Sequence, residues 1–590
     1  MMHLNLWLRE RWLYRFLKFE KSLFILLLLT PVALLIIVAT LFSFHGLDTT
    51  DESFVLLSII HWKTSHFNSF FGLALFPFWV LSFQNIVLFR LVGFFLLWLS
   101  SYFFTVSLSG LVAPTFVGYK NKTKAALSGL IPFTYYVNER VWTPNYNWAV
   151  LFFALLASGS YLVITRPYSS KPLLLSSIFV FASLGLTMSK PISVFFVVIL
   201  VVFVLFNKRQ ILEKSFLIGI AVLVLITALI FFFFPVAEEA EFIYQTMRIF
   251  NSDSYALSNL FKGSFDSVRY GIIPYGRFLL PILLCVIVWS LTLHLLSKSS
   301  KLRNLNFSIQ SAFIFTISFY FTLYTYRNYS EFNRFAMLTL LIQIFWLFSR
   351  VNSSLSKALL IDLLIVVSYG FGSGVGLWPK SSGACGVFLV SFFLCAFELR
   401  SRNLLSERSL YYYLVLPICI LYFLAFQWVV TNPYRQVIFY KQTSTVAVAD
   451  FGSVRLEPRI AEDIQQFMES LKTAGFKETD RILNLTGLTN SHLILFSNSK
   501  PPKTVFLMER AFPNAESVLR KNLSRDPQLS RRSLSSQWLI LPQNNDNSFL
   551  PRSRIEAIFA EFAVDISLCY KEVYTSSLGY SLLQPTCIKI

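Results

Sequence analysis

A chain of 590 residues that is 55% hydrophobic and only 14% charged, with 63 phenylalanines, carries more apolar surface than a soluble globule of its size can bury. That excludes an ordinary soluble enzyme and reads as a polytopic membrane protein. The formal charge of +20 does not indicate a nucleic-acid partner, because the bases sit in short loops between apolar runs, where membrane topology accounts for them.

In chain order, the basic segment 1–21 runs into an apolar stretch too long for a signal-peptide core and without a small-residue cleavage site, so a cytoplasmic N-terminus is expected. Apolar runs of about 17 to 25 residues over 22–430 give about thirteen transmembrane helices. The basic loops Lys120 to Lys124, Arg166 to Lys171, Asn207 to Lys214, Lys298 to Arg303, Arg350 to Lys357 and Arg400 to Arg408 fall on alternate turns of the chain and mark the cytoplasmic side. Facing outward are then an outer loop at 45–84 and the loops Asn138 to Asn147, Met188 to Pro191, Ala237 to Pro274, Tyr326 to Asn333 and Gly372 to Ser382. Within the first of these, Phe70 to Phe83 is apolar but contains Pro77, and is read as lying on or dipping into the membrane; Asn85 to Leu111 is the better span. Leu173 to Thr187 and Ile192 to Phe206 form a hairpin with Lys190 at its tip. The final span, Tyr411 to Val430, puts the rest of the chain outside.

That remainder, 431–590, is read as an extracytoplasmic soluble α/β domain, because from Lys441 charge rises and apolar runs shorten. Strand-like Thr445 to Ala449, Arg481 to Leu485 and Gln537 to Leu541 alternate with helix-like Ile460 to Ala474, Ala515 to Asn522 and Ser553 to Phe562, which predicts βαβ units in a small sandwich. Gly475 suits a helix C-cap, and Thr486 to Thr489 is the nearest approach to a phosphate-binding turn. Cys569 and Cys587 flank strand-like segments and are candidates for a disulfide in an oxidising compartment; two packed thiols are the alternative. No cysteine spacing suits a structural metal.

Chemistry-bearing residues concentrate in the first outer loop. Asp48, Asp51 and Glu52 put three carboxylates directly after an apolar segment. Thr49 to Glu52 has the form of a capping box, so one reading is a capped interfacial helix whose acids suit its dipole. The other is catalytic, since a cap needs only one acid. His45, His61 and His66, half of the six histidines, raise a divalent metal, but His61 and His66 are off the spacing of a helical ligand pair, and no cofactor is assigned. Arg90 and Lys190 sit at outer ends of spans, where they either snorkel or hold an anionic head group. Tyr146 could stack on a sugar, Glu331 is a further outer-loop acid, and Arg269 and Tyr270 belong to the longest outer loop, a lid over an acceptor.

Asp51-Glu52 soon after the first span, Leu88-Phe-Arg-Leu91 at the outer start of the second, and Leu186-Thr-Met-Ser-Lys-Pro191 together resemble the GT-C superfamily of polyprenyl-phosphate-sugar-dependent glycosyltransferases, such as protein O-mannosyltransferases and aminoarabinose transferases. The last of these motifs departs from the family pattern by added residues and a missing Gly, and the resemblance does not extend into the C-terminal domain. It implies a GT-C-like fold, a sugar donor on a polyprenyl phosphate, a lipid, glycan or protein acceptor, and an inverting reaction. Asp51 would be the base, with Glu52 or Asp48 orienting the acceptor or a metal. Arg90 and Lys190 would bind the lipid phosphate. A transporter or flippase, and a lipid-linked polysaccharide polymerase of the cell envelope, are the rival classes.

Overall fold

The computed structural model describes residues 43–48, 51–62, 69–113, 121–139, 141–165, 172–190, 193–206, 353–370, 380–402, 436–477, 480–486, 534–543 and 550–587, with isolated positions elsewhere. Its helices are α1 (Asp51–Ile60), α2 (Phe71–Leu81), α3 (Ile86–Val112), α4 (Asn121–Ser128), α5 (Leu130–Glu139), α6 (Tyr146–Ile164), α7 (Pro172–Ser189), α8 (Val194–Phe206), α9 (Ser353–Gly370) and α10 (Gly386–Ser401).

Among the described residues, Ile86–Val112, Tyr146–Ile164 and Ser382–Leu399 are long and apolar enough to cross a membrane, and Phe71–Leu81 and Leu173–Ser189 are shorter apolar helices. These residues do not carry the expected count of about thirteen spans. The last expected span, Tyr411 to Val430, lies outside them.

Two of the three long spans, Ile86–Val112 and Tyr146–Ile164, start at an asparagine cap. Asn85 Oδ1 accepts from the amides of Val87 (3.0 Å) and Leu88 (3.1 Å), and Asn145 Oδ1 accepts from those of Asn147 (2.8 Å) and Trp148 (3.0 Å). Each cap satisfies donors that an apolar helix cannot leave bare in lipid. Helix α6 packs between α3 and α7, and small residues allow the approach: a Cβ on Gly93 would lie 2.2 Å from Pro144 Cγ, and one on Gly185 2.4 Å from Phe153 Cζ. Trp148 Nε1 donates to the Gly93 carbonyl at 3.1 Å.

Helix α2, the segment with Pro77, packs against α1, α3 and α7 and leaves Leu81 and Phe83 exposed. Gly72 holds it to α1, since a Cβ there would lie 2.1 Å from the backbone oxygen of Ser58. Gly72→Ala is therefore expected to destabilise the protein by about 1–3 kcal/mol, because a backbone atom cannot rotate away. Thermal unfolding of the purified full chain checks this, and an unchanged midpoint would contradict the packing.

The C-terminal domain contains β1 (Ser444–Ala447), β2 (Ser453–Leu456), α11 (Pro458–Thr473), β3 (Ile482–Asn484), β4 (Trp538–Pro542), α12 (Arg552–Glu561), a short α13 (Ile566–Cys569), β5 (Tyr570–Thr575) and β6 (Tyr580–Pro585). The sheet order is β3-β4-β6-β5, with β3 parallel to β4 and the other pairs antiparallel. Alternation on β4 divides the core: Trp538 and Ile540 join the cluster of Phe467 and Leu471 on α11, while Leu539 and Leu541 join that of Ile555, Ile558 and Phe559 on α12. The sheet is thus covered by a helix on each face. Pro458 opens α11 and Gly475 (φ +81°) closes it, where Phe476 N–H donates to Leu471 O (3.0 Å) and Gly475 N–H to Lys472 O (3.1 Å), a Schellman cap. One expectation is corrected: β1 does not enter this sheet. It pairs antiparallel with β2 in a separate hairpin, because the chain reverses at Ala449–Phe451 and Gly452 (φ +101°) rather than running on into a crossover helix.

That hairpin docks on the helical domain. Arg455 N–H donates to Phe44 O and Gly46 N–H donates to Arg455 O, both at 2.7 Å, and Gln436 Nε2 donates to Leu47 O at 2.8 Å. Beside them Phe451 meets Trp79 edge-on, with ring centroids 5.4 Å apart.

Candidate functional site

One end of the helical bundle gathers residues 43–48, the starts of α1, α3 and α6, the ends of α5, α7 and α9, and Lys380. Four loops expected to face outward therefore meet there, together with the C-terminal domain. Two polar centres occupy this end.

The first is built on Arg90, in the second turn of α3 and 1% exposed. Its Nε donates to Thr143 Oγ1 (3.1 Å), Nη1 to the carbonyls of Ser43 (2.7 Å) and His45 (3.1 Å), and Nη2 to the Gly46 carbonyl (2.7 Å) and Glu52 Oε1 (2.8 Å). These five acceptors match the five N–H groups of a guanidinium. Glu52, also 1% exposed, accepts in addition from Thr143 Oγ1 and, through Oε2, from the Asp48 amide at 2.9 Å. Burial pushes Glu52 up from the usual carboxylate range, and Arg90, Thr143 and the Asp48 amide pull it back.

Two expectations change here. The sequence predicts that Arg90 meets a lipid phosphate or snorkels; it does neither, because carbonyls of the preceding loop and Glu52 take its donors in the protein interior. Glu52 reaches back as a capping residue does, but to the amide of Asp48 rather than that of Thr49, and its second oxygen serves the ion pair. Asp48 is buried, and its carbonyl accepts from the Ser53 amide (3.1 Å) and hydroxyl (2.8 Å). Asp51 is the first residue of α1, and its side chain lies outside the described residues.

The second centre does not show in the sequence as a unit. Glu139, at the end of α5, accepts from Lys380 Nζ at 2.8 Å and from the Tyr369 hydroxyl, with Asn147 Nδ2 at 3.5 Å. Lys190, just past the end of α7 and 8% exposed, donates to the Tyr369 carbonyl at 3.0 Å. Burial pushes its ammonium down to about 7, with Lys380 adding to the shift and Glu139 opposing it. Tyr135 donates to Asn145 Oδ1 at 3.2 Å, and Tyr146, partly exposed, packs its ring 5.8 Å from that of Phe71. Lys190 and Arg90 thus lie in different centres, joined through the loop 141–147, which sends Thr143 to one and Asn147 to the other. The sequence contains a signal for Glu139 and Lys380: one is the only acid of the loop Asn138 to Asn147 and the other the only charge of the loop Gly372 to Ser382, 241 residues apart.

Lys190 makes the second centre sensitive to pH. Between pH 6 and pH 8 the Lys190 ammonium passes from mostly charged to mostly neutral. Sulfate, whose charge is constant over that range, is expected to bind several-fold more tightly at pH 6 than at pH 8. Equal affinity would remove Lys190 from any anion site.

His45 is buried in the bridge to Arg455, and His61 comes directly after the end of α1. His66, Arg269, Tyr270 and Glu331 lie outside the described residues. Among the described residues, no three His, Cys, Asp or Glu side chains converge as metal ligands. Cys569 and Cys587 form a disulfide, while Cys385 and Cys395 are free and buried. No protein-family model and no curated protein matches the chain.

Proposed function

We propose that the protein is an integral, multi-pass membrane glycosyltransferase of the GT-C type. It moves a sugar from a polyprenyl-phosphate donor to an acceptor on the outer face of the cell's inner (plasma) membrane. The N-terminus is cytoplasmic and the C-terminal domain extracytoplasmic. The observation that carries the reading is the gathering of Lys190 and Lys380 around Glu139 and Tyr369, at the end of the apolar bundle that also holds the acidic first loop. A lipid phosphate travels at that depth. Its departure needs cations rather than a proton, and the acceptor hydroxyl needs a base. Lys190 and Lys380 are the cations and Asp51 is the base; attack from the side opposite the phosphate inverts the anomeric centre. Arg90 and Glu52 hold the loop that carries Asp51.

Membranes containing the full chain, supplied with a labelled polyprenyl-phosphate sugar, test the assignment. Asp51→Asn is expected to lower transfer by about 10²- to 10⁴-fold, the usual worth of a positioned base. Loss only in Asp48→Asn would move the base to Asp48, and transfer by both variants at the wild-type rate would sink a carboxylate base in this loop. A lipid flippase is the second reading, favoured by Asp362. This carboxylate lies fully buried in α9 and accepts from Ser391 of α10, and an ionisable group inside a bundle marks a transport path in many carriers.

A further inference from the structure

The second centre brings together two lysines and one carboxylate. Glu139 is shared between Lys380, Tyr369 and, loosely, Asn147, whereas Lys190 has one hydrogen bond among the described residues, to a carbonyl, although an ammonium has three donors. Among the described residues the centre therefore has one more cation than anion, and Lys190 uses one of its three donors. It also reaches the surface: the side chain of Lys380 is 17% exposed and that of Glu139 7%. Lys190, 8% exposed, is held at the Tyr369 carbonyl, while Glu139 is held at the hydroxyl of the same tyrosine.

We propose that Glu139 is a resident counter-ion, holding Lys380 in the place that the phosphate of an isoprenoid lipid takes when it binds between Lys380 and Lys190. The inference rests on the proposed function for the identity of the lipid, and on the geometry above for the role of Glu139. On binding, Lys380 exchanges a carboxylate for a phosphate oxygen, Tyr369 and Asn147 are released to donate to the phosphate, and Lys190 gains a partner of opposite charge. No covalent bond changes. Without this carboxylate the charges of Lys190 and Lys380 would oppose each other unrelieved, a repulsion that Glu139 offsets until the ligand arrives. The cost is affinity, because ligand binds only the fraction of molecules in which Glu139 has moved aside.

The test measures binding of farnesyl phosphate to the full chain in nanodiscs, with inorganic phosphate and farnesol as parallel arms. Glu139→Gln keeps the shape and removes the competing charge, and is expected to tighten farnesyl phosphate binding about tenfold. Tyr369→Phe, which removes the phenol that secures Glu139, is expected to tighten it by a smaller factor. It gives an independent reading if Glu139→Gln does not fold. Lys380→Met is expected to abolish the gain, and farnesol is expected to show no gain in any variant. Unchanged or weaker farnesyl phosphate binding in Glu139→Gln and Tyr369→Phe overturns the counter-ion role, as does the absence of any phosphate binding. An equal gain for inorganic phosphate, with no preference for farnesyl phosphate, supports the counter-ion role and counts against a lipid donor.

Discussion

Arg90→Ala is expected to cost about 3–5 kcal/mol, the range for removing one partner of a buried ion pair, against a total stability of roughly 5–15 kcal/mol. The substitution would leave Glu52 buried and charged with only Thr143 and the Asp48 amide, and would strip the carbonyls of Ser43, His45 and Gly46 of their common donor. Those carbonyls belong to the segment on which the C-terminal hairpin docks through Phe44 and Gly46, so the loss should also loosen the interface between the two domains. Arg90→Lys should recover only part of the stability, because an ammonium has three donors and lacks the planar fork. Glu52→Gln should also destabilise, since an amide has one acceptor oxygen for the Asp48 N–H, Arg90 and Thr143 together and turns its NH2 toward a donor, but it should be milder than Arg90→Ala because the carbonyls of Ser43, His45 and Gly46 keep Arg90. Thermal unfolding of the purified chain, with size exclusion to score folded protein, separates these cases. An Arg90→Ala protein within about 0.5 kcal/mol of the wild type would mean that Arg90 is an ordinary surface residue.

Cys587→Ser is expected to destabilise the C-terminal domain by about 2–4 kcal/mol, as the loss of a native crosslink does. The bond closes 18 residues of chain around the β5–β6 hairpin, and the Thr586 amide donates to the Cys569 carbonyl (2.8 Å) beside it. β6 lies between β4 and β5, and its Tyr580 hydroxyl donates to Asp463 on α11, so fraying of the hairpin reaches both faces of the sheet. The same bond reports on sidedness. A domain outside the cytoplasm should carry Cys569 and Cys587 fully oxidised in intact cells, so neither should react with a thiol-directed mass tag until reductant is added. Immediate labelling of both in freshly lysed cells would place the domain in a reducing compartment and reverse the proposed topology.

What the sequence made legible was local. The Asn85 start of α3, the Lys190 hairpin, the Gly475 cap and the strand at Trp538 to Leu541 all arise from short-range chemistry and appear within a few residues of their expected positions. The pairing of Cys569 with Cys587 was one of two open alternatives and is the one observed. What the sequence hid depends on partners far away. Arg90 reads as an interfacial cation because nothing in its own neighbourhood shows that its acceptors include the carbonyls of Ser43, His45 and Gly46, brought in from 44 to 47 positions upstream. Glu139 and Lys380 were visible singly, and only the packing of α5 against α10 joins them. Asp463 did leave a trace. It stands one turn before Phe467 on the stripe that α11 buries, where its carboxylate accepts from Tyr574 (2.9 Å), Ser576 and Tyr580. A charge on the apolar face of an otherwise regular helix is a sign that hydroxyl partners wait opposite.

The most direct test of the proposed function uses the purified full chain in liposomes loaded with polyprenyl-phosphate donors that differ in their sugar, and measures donor cleavage and leaflet position together. For one of these sugars, free polyprenyl phosphate should accumulate in proportion to enzyme and acceptor, with the donor cleaved on the leaflet that carries the C-terminal domain. Donors that remain intact for every sugar while moving from one leaflet to the other would contradict a transferase and identify a flippase.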